Sequence, residues 1–330
     1  MLNPEAKVNP KIFDEDVERM PNRDGYGKGL LELGAMDERV VALCADLAES
    51  TRTHWFKEKY PSRYIEIGVA EQNLAALASG LANYGKIPFI ASYAAFSPGR
   101  NNEQIRTTIS LSNLPVKIIG AHAGISVGPD GATHQALEDV ALMRVQPRMT
   151  VVVPSDMYEA HKATVASVTD VKGPAYIRLA REKTAVITTV DSPFKIGVAN
   201  VLYDNEKIEV AIMACGPLVY EALVAAKMLS DQGIECAVIN HHTVKPLDKK
   251  SVTEYAKKAG SVVTVEEHQV AGGLGSAIAE VIAQEHPVPM EFIGVKDRFG
   301  QSGETEELLR EYNLKAKDIV SACLKVIRRK

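Results

Sequence analysis

The chain has 330 residues, of which 46% are hydrophobic and 24% charged, with a formal charge of −4. That length exceeds one average domain and suits two, and a slightly acidic chain offers no basic surface to recommend nucleic acid as a partner. Cys44, Cys215, Cys236 and Cys323 lie far apart with no C-x-x-C pair, which argues against a zinc site or disulfide framework and for buried thiols in a reducing compartment.

Residues 1–20, MLNPEAKVNPKIFDEDVERM, are polar and acidic and have no apolar core of the signal-peptide kind. No window approaches the roughly 18 apolar residues of a membrane span, so no membrane is expected as a partner and the cytoplasm is the expected compartment. Short β-branched runs then alternate with stretches of helical period. Strands are expected at 40–45, 63–67, 87–92, 116–121, 150–153 and 175–179, and helices at 71–83, 101–111, 134–144 and 156–169. Such alternation predicts a parallel sheet covered on both faces. The pattern lapses across 182–200, EKTAVITTVDSPFKIGVAN, and a linker is placed at 186–200.

A second alternating unit follows. Its strands are expected at 210–213, 235–239, 261–266 and 290–293, its helices at 217–232, 248–259 and 272–285, with a closing helical tail from Glu304. Pro217 suits a helix start, and Gly233 a helix stop. The expected architecture is α/β: two doubly wound domains, at 15–185 and 201–330. That architecture hosts many functions and decides none.

Three clusters in the first unit carry chemistry. In RYIEIGVAEQNLAALASGLA (63–82) a strand ends, a glycine turns the chain and Glu71 opens a helix rich in small residues, which lets another backbone approach closely. The helix dipole favours a carboxylate there, although an ordinary first-turn glutamate reads the same way. In IPFIASYAAFSPGRNNEQIR (87–106) a buried strand ends near Phe96, at the carboxyl edge where open parallel sheets bind ligands; a lone phenylalanine is more often core. In AHAGISVGPDGATHQALED (121–139) a strand runs into a glycine-bearing loop holding His122, Asp130 and His134. Its spacing matches no zinc motif, and a polar loop for an oxygen-rich small molecule is the better reading.

At these clusters the sequence resembles the transketolase family of thiamine diphosphate enzymes. IGVAEQN is similar to the segment carrying the family's cofactor glutamate, here Glu71. SYAAF resembles its aromatic strand end, with Phe96 and Tyr93 as the cofactor wall. HAGISVGPDGATHQ resembles its substrate loop. CADLAEST resembles its first-strand motif, which places Asp46 near the cofactor, and AYIRLARE resembles the strand with phosphate-binding arginines. VVTVEEHQVAGGLGSAIAEVI resembles its C-terminal domain. The likeness covers roughly residues 15 to 325. It implies a thiamine-diphosphate-binding-fold pyrimidine domain followed by a transketolase C-terminal-like domain.

The family's GDG motif and following Asn pair, which hold the diphosphate and its Mg²⁺, are absent. The resemblance therefore implies a split transketolase, in which this C-terminal subunit needs an N-terminal partner chain to supply the oxygen ligands of Mg²⁺, two of each forming an α2β2 heterotetramer. The implied reaction transfers a two-carbon ketol unit between sugar phosphates through the ylid of thiamine diphosphate. Glu71 would share a proton with the cofactor's pyrimidine ring, a task for a buried carboxyl group. Phe96, with Tyr93, would stack on that ring. His134 would bond the donor's hydroxyl oxygens, Asp130 would read its hydroxyl configuration, and His122 would meet the sugar phosphate with Arg178 or Arg181, which sequence does not separate.

His122 favours transketolase over the similar deoxyxylulose phosphate synthases, and the DGATHQ pattern disfavours the 2-oxoacid dehydrogenase beta chains. A non-catalytic scaffold of the same fold is a rival of another class. The second unit reads as chemically quiet: Gly272, Gly273 and Gly275 suit close helix packing, Glu267 and His268 at a strand end suit a solvated loop ahead of the rival reading of an interface, and His241-His242 has no assigned role.

Overall fold

The computed structural model describes all 330 residues, Met1–Lys330. The first half contributes strands β1 (Val40–Cys44), β2 (Tyr64–Glu66), β3 (Ile87–Tyr93), β4 (Lys117–Ala121), β5 (Thr150–Val152) and β6 (Ala175–Arg178). The second contributes β7 (Asn200–Tyr203), β8 (Val210–Ala214), β9 (Cys236–Asn240), β10 (Thr243–Lys245), β11 (Val262–Gln269) and β12 (Met290–Val295). They form a seven-stranded sheet, β10-β5-β6-β4-β3-β1-β2, and a five-stranded sheet, β12-β11-β8-β9-β7. Neighbours are parallel except at one edge of each sheet, where β10 runs against β5 and β7 against β9. The continuous apolar runs VVALC and VAIMA are buried at every residue, as strands covered on both faces must be.

The covering helices include α1 (Asn22–Met36), α2 (Glu71–Asn83), α3 (Met157–Thr169), α4 (Val219–Ser230), α5 (Lys249–Ala259), α6 (Leu274–Glu285) and α7 (Ala316–Ile327). Asp156 and Asp248 cap α3 and α5, accepting the Glu159 and Ser251 amides at 2.9 and 3.0 Å. Helix α1 is not expected from sequence, because Gly25, Gly27, Gly29 and Gly34 weaken its helical signal. The glycines serve packing instead: a Cβ on Gly25 would lie 2.0 Å from the Met157 carbonyl oxygen at the start of α3, and one on Gly34 2.5 Å from the Tyr60 ring.

Other expectations shift. The helix expected from His134 begins only at Asp139, because Ala136 bridges to Ala123 and its carbonyl accepts the Gly124 amide. The helix expected at 101–111 is a single turn, Asn102–Gln104, followed by wide π turns over Ile105–Ser110. Segment 182–200 is not featureless: Lys183–Ala185 pairs antiparallel with Arg19–Pro21, and Val186 and Ile187 are buried. The N-terminal stretch, which has no role readable in the sequence, packs on the second unit: Leu2 bridges to Tyr203, and Ala6, Ile12 and Val17 join the core around Leu202 and Val210. A further apolar cluster runs from Leu74 and Ile90 to Met213 and Ile239, so the two sheets share a core. No helix is long and apolar enough to cross a membrane.

Candidate active site

The site lies beyond the carboxyl ends of β3 and β4, where a parallel sheet leaves space between diverging loops. Glu71 is the first residue of α2 and its side chain is 1% exposed. Its carboxylate accepts from Arg100 Nη1 at 2.6 Å, and its backbone carbonyl accepts from Asn101 Nδ2 at 2.9 Å. The loop after β3 is thus tied to the first turn of α2. Arg100 belongs to that loop and is not singled out by sequence reasoning.

The same loop builds an aromatic wall. Tyr93 and Phe96 lie 6.1 Å apart with an interplanar angle of 19°, and the His134 ring meets both edge-on, at 5.9 and 5.2 Å. His122 lies 4.2 Å from the Tyr93 ring. The Arg100 guanidinium lies 4.8 Å over the outer ring, Phe96. Four residues expected from sequence therefore converge, with Glu71 joined to them through Arg100.

His122 follows β4 in a left-handed conformation, φ 53°, rare outside glycine. Its Nε2 accepts from Arg23 Nη1 at 2.9 Å, so the neutral tautomer carries its proton on Nδ1, and that nitrogen is buried without a partner. Burial, with Arg23 and Arg181 nearby, lowers the His122 pKa to about 3, so the ring is neutral at pH 7. Arg23 also donates to the Ser50 carbonyl at 2.9 Å. Arg181 donates to the Val127 carbonyl at 2.8 Å and stands 3.5 Å from exposed Asp130. These contacts make a cationic corner at the glycine-bearing loop 121–139. Arg23 is absent from the sequence reading because nothing in the spacing links position 23 to position 122; only the fold brings α1 there.

Two expected residues are not hydrogen-bonded to the clustered side chains. Arg178 is 3% exposed, and its guanidinium is consumed by Asp139 (2.9 Å), the Glu267 carbonyl (2.8 Å) and the Ala136 carbonyl (3.3 Å). Burial works against its charge, but Asp139 and Glu267 hold its pKa above the ordinary value. It is an internal strut, and Arg181 is the more open of the two arginines, with its side chain 30% exposed. Asp46 is exposed at the end of β1 with φ 57°, and its amide donates to Glu66 at 2.8 Å; no hydrogen bond ties it to the clustered residues.

In the second unit, Glu266, Glu267 and His268 are buried on β11, not on a solvated loop. Glu266 accepts the Leu274 and Gly275 amides at 2.7 and 2.8 Å, and a Cβ on Gly273 would lie 1.9 Å from its carboxylate. The glycines at the start of α6 make room for this internal carboxylate, whose pKa burial raises to about 7.

The donor set fits the pyrimidine half of thiamine diphosphate: a buried carboxylate at a helix start and a stacked aromatic wall. No group of three or more His, Cys, Asp or Glu side chains is arranged to hold a metal ion. The family model described as "Transketolase, pyrimidine binding domain" matches residues 18–186, and that described as "Transketolase, C-terminal domain" matches residues 197–319. The chain belongs to the transketolase family. It is similar to a putative transketolase C-terminal section of Methanocaldococcus jannaschii, 41% identical over 93% of this chain and 96% of that one. It is also similar to the 6-deoxy-6-sulfo-D-fructose transketolase subunit SqwH of a Clostridium species, 42% identical over 96% and 98%. A solved structure described as "Split gene transketolase, inactive beta4 tetramer" superposes with a TM-score of 0.87 at 43% identity, covering 94% of this chain and 99% of that one. Each of the three is matched over at least 93% of this chain and at least 96% of its own length.

Proposed function

We propose that this chain is the C-terminal subunit of a split transketolase. It transfers a two-carbon ketol unit between sugar phosphates and is active only beside an N-terminal chain that holds the diphosphate and Mg²⁺. The reading rests on the buried Glu71 carboxylate beside the stacked Tyr93 and Phe96 rings. The description of a β-only relative as an inactive tetramer supports the need for a partner. An α2β2 assembly is the proposed complex, with pyrimidine-binding (15–185) and C-terminal (201–330) units joined by 186–200.

Thiamine diphosphate, when bound, supplies the carbon nucleophile. Glu71 would hold a proton at the pyrimidine ring nitrogen, screened from water by its burial. Phe96 and Tyr93 would fix the ring plane. His134 would donate to donor hydroxyl oxygens, Asp130 would accept from a donor hydroxyl, and neutral His122 would offer its Nδ1 proton to an anionic oxygen between Arg23 and Arg181. Charge-assisted bonds from arginine suit that anion.

The same corner fits a sulfonate, and the similar subunit named for 6-deoxy-6-sulfo-D-fructose favours testing one. The experiment is co-expression with a chain carrying GDG and the Asn pair, followed by a screen of phosphorylated, sulfonated and neutral ketose donors. The isolated chain should be inactive and the pair active. Glu71→Ala in the pair should cost about 100-fold or more in kcat with folding intact; normal turnover would remove Glu71 from the mechanism.

A further inference from the structure

Glu267 stands on β11 of the second sheet, yet its side chain reaches the substrate loop of the first unit. It is 3% exposed, and its Oε1 accepts the Ser126 amide at 2.5 Å. Gly124, at φ 92°, could carry no side chain there, since a Cβ would lie 2.4 Å from that oxygen. Thr305 Oγ1 donates to the Ser126 carbonyl at 3.1 Å. On the far side of the loop, Gln135 Nε2 donates to the Gln301 carbonyl at 3.0 Å and to the Ile125 and Gly128 carbonyls at 3.1 and 3.3 Å. Both flanks of the segment bearing Asp130 are therefore bonded to, or braced by, the second unit.

The loop needs such bracing. Gly124, Gly128 and Gly131 all hold positive φ, and glycine backbone has many other paths open to it. A buried, charge-assisted bond to a fixed strand selects one path, and the Glu267 backbone is itself held by Arg178 and Asp139.

We propose that Glu267 is a positioning residue of the ketol-transfer site, through which the second unit fixes the substrate loop and the places of Asp130 and His134. The proposal rests on the reading of that loop as the donor-binding element.

Glu267→Ala and Glu267→Gln in the reconstituted pair test it, with donor KM, thiamine diphosphate affinity by calorimetry, and amide hydrogen exchange at 124–131 in the free chain. Glu267→Ala should raise donor KM about tenfold or more, leave cofactor affinity within about twofold, and speed exchange at Ser126 and its neighbours. Glu267→Gln keeps an oxygen that accepts the same amide and should restore KM to within about threefold. Thr305→Val loses only the Ser126 carbonyl bond and should shift KM and exchange the same way by less; it decides the matter should Glu267→Ala fail to fold. Unchanged donor KM and unchanged exchange would overturn the proposal, as would equal losses of donor and cofactor affinity. If the pair transfers no ketol unit at all, the functional reading fails, while hydrogen exchange still decides whether Glu267 anchors the loop.

Discussion

Arg100 pairs with Glu71 at 2.6 Å while its guanidinium covers the Phe96 ring at 4.8 Å. On the proposed reading, the aminopyrimidine of thiamine diphosphate would meet this same carboxylate and this same ring, so Arg100 would turn away when it binds. The carboxylate is buried and the arginine side chain 49% exposed, which leaves the arginine free to swing toward solvent. Arg100→Met strands a buried carboxylate and should cost the free chain about 1–3 kcal/mol, solvent exposure of the arginine keeping the figure below that of a fully buried pair. Adding Glu71→Gln should recover much of the loss, and a double-mutant cycle by denaturant unfolding measures it. Strict additivity would mean the pair carries no stability.

The two arginines that sequence leaves unseparated should part cleanly in experiment. Arg181→Ala should raise donor KM about tenfold to hundredfold through the loss of charged hydrogen bonds, with stability within about 0.5 kcal/mol. Arg178→Ala leaves Asp139 buried and unpaired and should cost about 3–5 kcal/mol. Steady-state kinetics of the pair and thermal unfolding of the free chain check the two arms. A folded Arg178→Ala chain with only a KM defect would reverse the assignment.

Acid should destabilise the fold below about pH 6.5. Burial lowers the pKa of His241 to about 4, and that of His242 and His122 to about 3. An unfolded chain takes up these protons near pH 6.5, whereas the folded one refuses them until far lower pH. The unfolded state then binds more protons, so stability is full above 6.5 and falls as pH drops toward 4, by up to about 1.4 kcal/mol per pH unit for each histidine. His241 has no partner on either ring nitrogen. His241→Leu should therefore flatten the dependence between pH 7 and 5 by about 1–2 kcal/mol and raise stability at the acid end. Denaturant midpoints at the two pH values read this directly, and an unaltered slope would exclude His241 as a source.

Glycine-to-alanine changes should differ in sign between two helices. Gly25→Ala in α1 drives a methyl into the Met157 carbonyl and should destabilise by about 2–4 kcal/mol, against the usual gain in a helix. Gly80→Ala in α2 meets nothing within 4 Å and should stabilise the free chain by about 0.5–1 kcal/mol. Thermal unfolding of both variants compares them.

What the sequence determined by itself is whatever depends on short-range pattern. The β-branched runs of β1, β3 and β8 and the capped starts of α3 and α5 follow from neighbouring residues, and so do the two-unit α/β layout and the placing of Glu71 at a helix start beyond a strand. The motif clusters around Phe96, Tyr93, His122 and His134 were legible because each is contiguous, and the fold then brings their rings within about 4–6 Å of one another, the reach of aromatic contact. Tertiary structure alone decided which of Arg178 and Arg181 is open, because the difference is one of burial against Asp139. It alone revealed Arg23 beside His122, Arg100 on Glu71, α1 under its glycines, and β10 completing the first sheet. In each case the deciding contact joins residues far apart in the chain, and local propensity holds no record of the atom that will lie across the gap.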